Sequence, residues 1–377
     1  MKIHLWFPGI FDFKGGIQVF STFFINAIEK ILPNADRSVF LKNDRSQNTS
    51  VQFDSRTQFY CSGRLASTFL HTPFFSAQVF LSAIVNKPDL IICGHINFSP
   101  LAYRISNLLN IPYWIIVHGI DVWNLKNIAK IDGLKHANKI ISVSQYTTNR
   151  VVEEQGIDPA KIFLLPNTID INQFQIYPKS INLLDRYKIS RDQLVILTVA
   201  RLSQSEKYKG YDKILEALPK IIEKIPNIHY LLVGKGDDTD RIKDIIKNLG
   251  IQSSVTFTGF VSDEELCDYY NICDVFAMPS KKEGFGIVYL EAMACGKPCL
   301  GSNQDGAIDA LAQGDLGVLV NPDDVDEIAN TLIQILQKNY PHPLLYKPEQ
   351  LRQAVIDRFG FEVFQQRLHQ YLEDFFS

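Results

Sequence analysis

The chain has 377 residues, 46% of them apolar, with 38 Lys and Arg against 41 Asp and Glu for a net charge of −3. That length and apolar fraction suit two or three globular domains with sizeable cores, and the near balance of charge gives no reason to expect a nucleic-acid partner. The six cysteines (61, 93, 267, 273, 295 and 299) form no C-x-x-C pair and stand at no zinc spacing from a histidine, so they read as reduced core thiols of a cytoplasmic protein.

No uninterrupted apolar run approaches the roughly 20 residues that span a bilayer, and Met1-Lys2-Ile3-His4-Leu5-Trp6-Phe7-Pro8 reads as a first strand, not a signal peptide. The first 190 residues carry 19 Lys and Arg against 13 Asp and Glu; the rest carries 19 against 28. A basic first half suits an anionic membrane face or a pyrophosphate-bearing acceptor, although ordinary solvated faces account for it as well.

After the strand at residues 3–7 comes a turn, Gly9 to Gly16, and then apolar residues at helical spacing over 17–28. Strand, glycine pair and helix together expose backbone amides to an anion. Taken alone, Gly15-Gly16 reads as a plain turn, and it is not the G-x-G-x-x-G dinucleotide fingerprint. Residues 34–60 are polar and resist parsing. Residues 57–85 carry Phe59, Tyr60, Leu65, Phe69, Leu70, Phe74, Phe75, Val79, Phe80 and Leu81, with Arg56, Arg64 and His71 interspersed. Pro73 is predicted to separate two helical pieces. Such a stretch fits either core packing or a membrane interface.

Residues 88–95 form a strand ending in Gly94-His95, and residues 111–121 another ending in His118-Gly119-Ile120-Asp121. In an open parallel sheet, ligands bind beyond the carboxyl ends of the strands. His95 and His118 occupy that edge, where a histidine by itself is ordinarily structural. A strand over 137–144, a helix over 145–154 and the run Lys161 to Asp170 complete the first half; residues 171–190 read as a connector with a short helix.

The uncharged strand at 194–200 delivers Arg201, and a polar loop then leads to Lys209-Gly210 and a helix over 212–225. A planar guanidinium and a point-charge ammonium after one strand make a natural diphosphate clamp. Two further strands end in glycine-bearing loops at Gly234 and at Gly259-Phe260-Val261. A helix over 264–271 precedes a buried-type strand at 274–279, a loop, Ser280 to Gly286, and a helix that opens at the glycines. Its first amides lack carbonyl partners and its dipole end is positive, which suits a phosphate. Glu283 in the loop and Glu291 inside the helix bracket that end, too far apart to share a proton but able to hold two hydroxyl-bearing parts of one ligand. A sugar nucleotide fits. A strand at 317–322, a helix over 326–337 and a last helix over 359–375, with Phe361, Phe364, Leu368 and Leu372 on one face, finish the chain.

Glu283-Gly284-Phe285-Gly286-Ile287 through Glu291-Ala292-Met293-Ala294-Cys295-Gly296-Lys297-Pro298 resembles the E-x7-E signature of the retaining GT-B glycosyltransferases of family 4, also called group 1. The resemblance implies an α/β GT-B fold: two Rossmann-like parallel-sheet domains facing across a deep cleft, at 1–175 and 176–357. The terminal helix, from about 358 to 377, would cross back onto the first domain. It assigns Arg201 and Lys209 to the donor diphosphate, Glu283 to hydroxyls of the transferred sugar, Glu291 to the ribose, and His118 to the sugar from the opposite domain. Gly16, Gly234, Val261 (through its backbone), Gly284, Phe285, Gly286, Ile287 and Val288 join the donor-binding set. Asn167-Thr168-Ile169-Asp170 lacks the glycine that the family commonly has there.

The activity so implied is metal-independent hexosyl transfer with retention by front-face attack. The best-guess donor is UDP-glucose, and the acceptor is a glycan, a polysaccharide or a lipid-linked molecule. No Asp-x-Asp stretch is read as a metal motif, no cofactor is expected, and no side chain stands out as a covalent nucleophile. A GT-B-like sugar-nucleotide epimerase and a non-catalytic sugar-nucleotide sensor remain as other readings; peripheral contact of the basic half with the inner membrane face is a further expectation.

Overall fold

The computed structural model describes residues 1–12, 15–47, 53–64 and 68–376. Phe13 and Lys14 of the predicted glycine turn, and Leu65 of the aromatic stretch, lie outside them. The chain forms two compact units, Met1–Thr168 with the stretch from Phe361 onward, and Ile169–Gly360.

The first unit alternates strand and helix: β1 (Lys2–Phe7), α1 (Gly16–Ile31), β2 (Asp36–Leu41), β3 (Thr57–Cys61), α2 (Thr68–Asn86), β4 (Leu90–Cys93), α3 (Ser99–Leu109), β5 (Tyr113–Val117), α4 (Ile128–Lys135), β6 (Lys139–Ser142), α5 (Gln145–Gln155) and β7 (Ile162–Leu164). The strands build one parallel sheet in the order β3-β2-β1-β4-β5-β6-β7. Its central members are continuous apolar runs, Leu-Ile-Ile-Cys in β4 and Tyr-Trp-Ile-Ile-Val in β5, buried throughout because helices cover both faces.

The second unit continues with α6 (Ile181–Arg186), β8 (Leu194–Val199), α7 (Tyr211–Lys224), β9 (Ile228–Val233), α8 (Thr239–Asn248), β10 (Val255–Gly259), α9 (Asp263–Ile272), β11 (Val275–Ala277), α10 (Ile287–Ala294), β12 (Cys299–Ser302), α11 (Ala307–Ala310), β13 (Val318–Val320), α12 (Val325–Leu336) and α13 (Pro348–Phe359). Its parallel sheet runs β10-β9-β8-β11-β12-β13. Each sheet therefore reverses its strand order once, between β1 and β4 and between β8 and β11. Loops diverge at such a switch point and leave a crevice for a ligand. Two Rossmann-like units of this kind are the building blocks of the GT-B fold.

The last helix, α14 (Phe361–Phe376), belongs to the first unit. Phe364 meets Phe20 of α1 edge-on at 5.7 Å, and Tyr371 stacks flat on Phe163 at 4.2 Å while its hydroxyl donates to the Leu164 carbonyl at 2.8 Å. The predicted helix over 359–375 is in fact two elements parted at Gly360, which bridges Ile169.

The break between the units falls after Thr168, ahead of the predicted 175. The connector is tied to the second unit: Asn271 accepts from the Tyr177 amide at 2.8 Å, and the Arg352 guanidinium donates to the carbonyls of Ile171 at 2.7 Å, of Ala294 at 2.5 Å, and of Phe174.

The stretch at 34–60 that resisted parsing holds β2 and β3. A buried Arg37 hides the strand pattern; its guanidinium donates to Thr57 Oγ1 at 2.8 Å, the Leu32 carbonyl at 2.7 Å and Asp54 at 2.6 Å. Pro73 does not divide the helix as predicted. It sits in the second turn of α2 at an exposed position, where losing one backbone donor toward Phe69 is tolerated. Part of the aromatic stretch packs into the core, and part of it is exposed. Phe75, Val79 and Ala83 are buried, whereas Phe69, Leu70, Leu81 and Val85 are exposed.

Gly94, after β4, shows how closely the sheet edge is packed. A Cβ there would stand 2.1 Å from the buried Phe7 ring and 3.1 Å from the Trp6 carbonyl. Gly94→Ala should cost about 1–3 kcal/mol through overpacking, read as a lower urea midpoint, and Phe7→Leu in the same chain should recover part of the loss. An unchanged midpoint would contradict this packing.

Candidate active site

In the second unit the switch point lies between β8 and β11, so the loops that follow these strands are neighbours. The loop after β8 carries Arg201, then a short 3-10 segment, Gln204–Lys209, and Gly210, whose left-handed backbone (φ 81°) starts α7. Only glycine fits there: a Cβ would lie 2.1 Å from the Pro279 carbonyl, which belongs to the loop after β11. The Lys281 amide donates to the Tyr208 carbonyl at 2.9 Å and stitches the two loops together. The Lys209 ammonium lies in an ion pair with Glu283 Oε2, both side chains being 17% exposed. Burial works to lower the Lys209 pKa, but the charge of Glu283, with Tyr208 and Glu206, raises it overall. Lys209 is a held cation.

Arg201 is more open, its side chain 53% exposed, and pairs with Glu206 at 3.0 Å. Burial raises the Tyr208 phenol to about 12; Lys209 and Arg201 pull it down while Glu206 and Glu283 push it up. The Lys209 ammonium lies 5.5 Å from the centre of that ring. Gly286 takes the left-handed region (φ 93°) and begins α10. A Cβ on it would lie 2.6 Å from the Tyr289 ring and 3.1 Å from Glu283 Cγ, so glycine is required where the loop turns into the helix. The positive end of α10 therefore lies beside Glu283 and its lysine partner.

Other candidates divide. Gly284 is buried within the loop, and Ile287 and Val288 are half-buried on the first turn of α10. Phe285 turns its ring inward onto Phe359 at 5.6 Å, so only its backbone is placed to serve a ligand. Glu291 is buried and accepts from the Tyr270 hydroxyl at 2.6 Å; it is not a solvated helix residue. Gly234 (φ 139°) cannot be replaced, because a Cβ would lie 1.9 Å from the Ala200 carbonyl, and its amide donates to Gly259 at 3.0 Å. Val261 follows that stitched edge and is half-buried. Beside it Phe260 is 71% exposed, with the Lys235 ammonium 5.0 Å from its ring centre.

In the first unit, His118 is half-buried at the end of β5. Its Nε2 donates to the Gly94 carbonyl at 3.0 Å, its amide donates to Asp121 Oδ1 at 3.0 Å, and its ring meets Phe20 edge-on at 5.3 Å. Burial lowers its pKa to about 4, against the pull of the Gly94 bond, so the ring is neutral at pH 7 with its proton on Nε2. Asp121 is pushed up to about 7 by burial, although the amides of His118, Gly119 and Asp121 itself oppose this. His95 accepts from the Asn97 amide through Nδ1 at 3.1 Å, and burial, with His118, Lys130 and Lys42, lowers it to about 3. Gly16 opens α1; a Cβ there would meet nothing within 4 Å, and its φ is not left-handed, so neither packing nor backbone demands glycine.

Two carboxylates were invisible in the sequence. Asp44 Oδ2 accepts from the amides of Ile10 at 2.6 Å and Phe11 at 2.9 Å, and so fixes the start of the turn after β1. Asp305 accepts from Ser280 Oγ and the Glu283 amide. The only signal for either was an Asp shortly after an apolar strand. Two stretches that were not read as metal motifs have Asp-x-Asp spacing, Asp324-Val325-Asp326 at the start of α12 and, at the start of α8, Asp238-Thr239-Asp240. Its buried member is already taken: Asp238 Oδ2 accepts from Tyr211 at 2.8 Å, and Oδ1 from Arg241 at 2.7 Å. No helix among the described residues is long and apolar enough to cross a membrane.

Two family profiles match the chain, "Glycosyltransferase Family 4" over residues 45–173 and "Glycosyl transferases group 1" over residues 182–356. The GDP-mannose-dependent alpha-(1-6)-phosphatidylinositol monomannoside mannosyltransferase of Mycolicibacterium smegmatis is 31% identical over 231 residues, 58% of this chain and 59% of that protein. The chain thus spans about three fifths of that relative's length. Mannosylfructose-phosphate synthase of Agrobacterium fabrum is 24% identical over 76% of this chain and 69% of that protein. Among solved structures, Anabaena HepE in complex with UDP and glucose aligns with a TM-score of 0.79 at 21% identity, over 99% of this chain and 100% of that one. Sucrose-phosphate synthase of Thermosynechococcus elongatus aligns at 0.81 and 20% identity, over 100% of this chain and 99% of that one. The E-x7-E loop and helix, the paired cations after β8 and the two profiles agree, and the chain belongs to the group 1, family 4 glycosyltransferases.

Proposed function

We propose that this protein transfers a hexose, first choice glucose from UDP-glucose, to a glycan, polysaccharide or lipid-linked acceptor, with retention of configuration and without a metal. The observation that carries this reading is the Lys209–Glu283 ion pair at the positive end of α10. A nucleoside diphosphate leaves as an anion, so the main task is to neutralise developing charge. Arg201, Lys209 and the first amides of α10 suit that task, and they need no reorganisation at the moment of reaction. Donor phosphates would compete with Glu283 for Lys209 and release the carboxylate toward the hydroxyls of the transferred sugar.

Glu291 is assigned the ribose hydroxyls. His118, with its proton committed to Gly94, is assigned the sugar as a neutral acceptor through Nδ1. The acceptor hydroxyl attacks the anomeric carbon from the face on which the diphosphate departs; the bond from that carbon to the diphosphate oxygen breaks, the hydroxyl proton passes to the departing phosphate oxygen, and no covalent enzyme intermediate forms. A GDP-mannose donor is the second reading, supported by the mycobacterial relative named for that substrate.

Thermal shift with UDP, GDP, UDP-glucose and GDP-mannose separates these readings. A rise with one nucleotide family and its sugar is the expected result; no rise with any would defeat the proposal. Product formed from the donor alone would mark an epimerase, and tight binding without nucleotide release a sensor. Lys209→Ala should lower kcat by roughly 100-fold or more while donor affinity changes much less, because the ammonium acts mainly on developing charge. Equal loss in both would make it a binding residue only. Gly16→Ala should leave the unfolding midpoint unchanged or slightly higher while activity falls; full activity would make Gly16 an ordinary turn.

We also propose that α2 meets an anionic membrane surface. The helix contains no charged residue, yet it exposes Phe69 at 90%, Leu81 at 61% and Val85 at 78%. Apolar side chains set in a basic half suit an interfacial position. Co-sedimentation with phosphatidylglycerol vesicles should be lost on Leu81→Glu with Val85→Glu; equal pelleting of both proteins would refute this.

A further inference from the structure

The loop that presents Glu283 is held from behind by Asp305, which follows β12. Asp305 is fully buried. Its Oδ2 accepts from Ser280 Oγ at 2.6 Å and from the Glu283 amide at 2.8 Å, and its Oδ1 accepts from the Ala307 amide at 3.0 Å. The next residue completes the clamp: the Gly306 amide donates to the Glu283 carbonyl at 2.8 Å, and a Cβ on Gly306 would lie 2.2 Å from the Gly284 carbonyl. Both backbone groups of Glu283 are thus bound by the turn at 305–306.

All three groups that face Asp305 donate, so the site asks for two oxygens that only accept. A carboxylate meets that demand in its ionised form, which the bonds from Ser280, Glu283 and Ala307 favour against the burial that pushes its pKa up to about 7; an amide of the same shape would set its NH₂ against a donor whichever way it turned. A core that needed only volume here would be better served by an apolar side chain, because a buried carboxylate costs desolvation.

We propose that Asp305 is a positioning residue for donor-sugar recognition, setting the height and direction of Glu283 at the mouth of α10. It touches no substrate and acts through the Glu283 backbone. The inference rests on the assignment of Glu283 to the transferred sugar.

The test compares the affinities of the intact protein for a nucleoside diphosphate and for the matching nucleotide sugar: UDP with UDP-glucose, or GDP with GDP-mannose if the wild type takes guanine. Asp305→Asn should leave the nucleoside diphosphate Kd within about twofold, weaken the nucleotide sugar about tenfold relative to it, and lower kcat further. In a Glu283→Ala background the same substitution should add little, since the two act through one group. Ser280→Ala, which removes one of the three donors, should move the ratio in the same direction by a smaller factor and serves if Asp305→Asn does not fold.

If the ratio stays at its wild-type value in a folded variant, the proposal is wrong. So it is if nucleoside diphosphate and sugar nucleotide weaken together, which marks general loosening, or if the effects of Asp305→Asn and Glu283→Ala simply add. If the wild type binds none of these nucleotides, it is the donor assignment that has failed.

Discussion

The second unit depends on the parallel pairing of β8 with β11. Ile196 lies opposite Val275 and Leu197 opposite Phe276, and Thr198 Oγ1 donates to the Ala277 carbonyl at 2.5 Å. These strands are distant in the chain but adjacent in the sheet, and the strand order reverses between them. Their following loops must therefore rise side by side. Gly210, Gly234, Gly236 and Gly306 then let backbones approach to where a Cβ would lie about 2 Å from a carbonyl oxygen. Close approach of main chains, not the long side chains alone, sets where Lys209 and Glu283 meet.

The two units present different chemistry at their strand ends. In the first, burial leaves His118 and His95 neutral, with hydrogen bonds to backbone that settle which ring nitrogens are engaged. In the second, a lysine and a glutamate form a mostly buried ion pair, and the glutamate's charge outweighs the burial that would otherwise lower the lysine's pKa. A neutral surface of oriented donors and acceptors suits hydroxyl groups, and a charged one suits a diphosphate. The distinction follows from desolvation: a buried imidazole with no carboxylate partner gives up its proton, whereas an ammonium paired with a carboxylate keeps its own.

The buried carboxylates extend this logic. Asp44 and Asp305 each accept several donors from a loop that follows a strand, and each stands behind a glycine-bearing turn. Loops carry ligand residues because they can vary, but they need anchors to be precise. An acceptor-only group that gathers backbone amides is such an anchor.

Local pattern was enough to read the strands with uninterrupted apolar runs, the helix caps at glycine, the E-x7-E loop and helix, and the cations after β8, because each depends on neighbours in the chain. Where a local rule was overridden, a tertiary contact did it. Arg37 could sit inside β2 because Asp54, Thr57 and Leu32 satisfy it. Residues 169–177 joined the second unit because Arg352 and Asn271 hold them there. The inward turn of Phe285 onto Phe359 and the burial of Glu291 under Tyr270 were likewise outside any local pattern. From its sequence alone the protein was determined as two α/β halves, the second with a helix that opens at a glycine-bearing loop. Strand order, and with it the meeting of Lys209, Glu283 and Asp305 from three separate loops, was decided only by the tertiary structure, because sheet neighbours are chosen by burial of both faces and not by proximity along the chain.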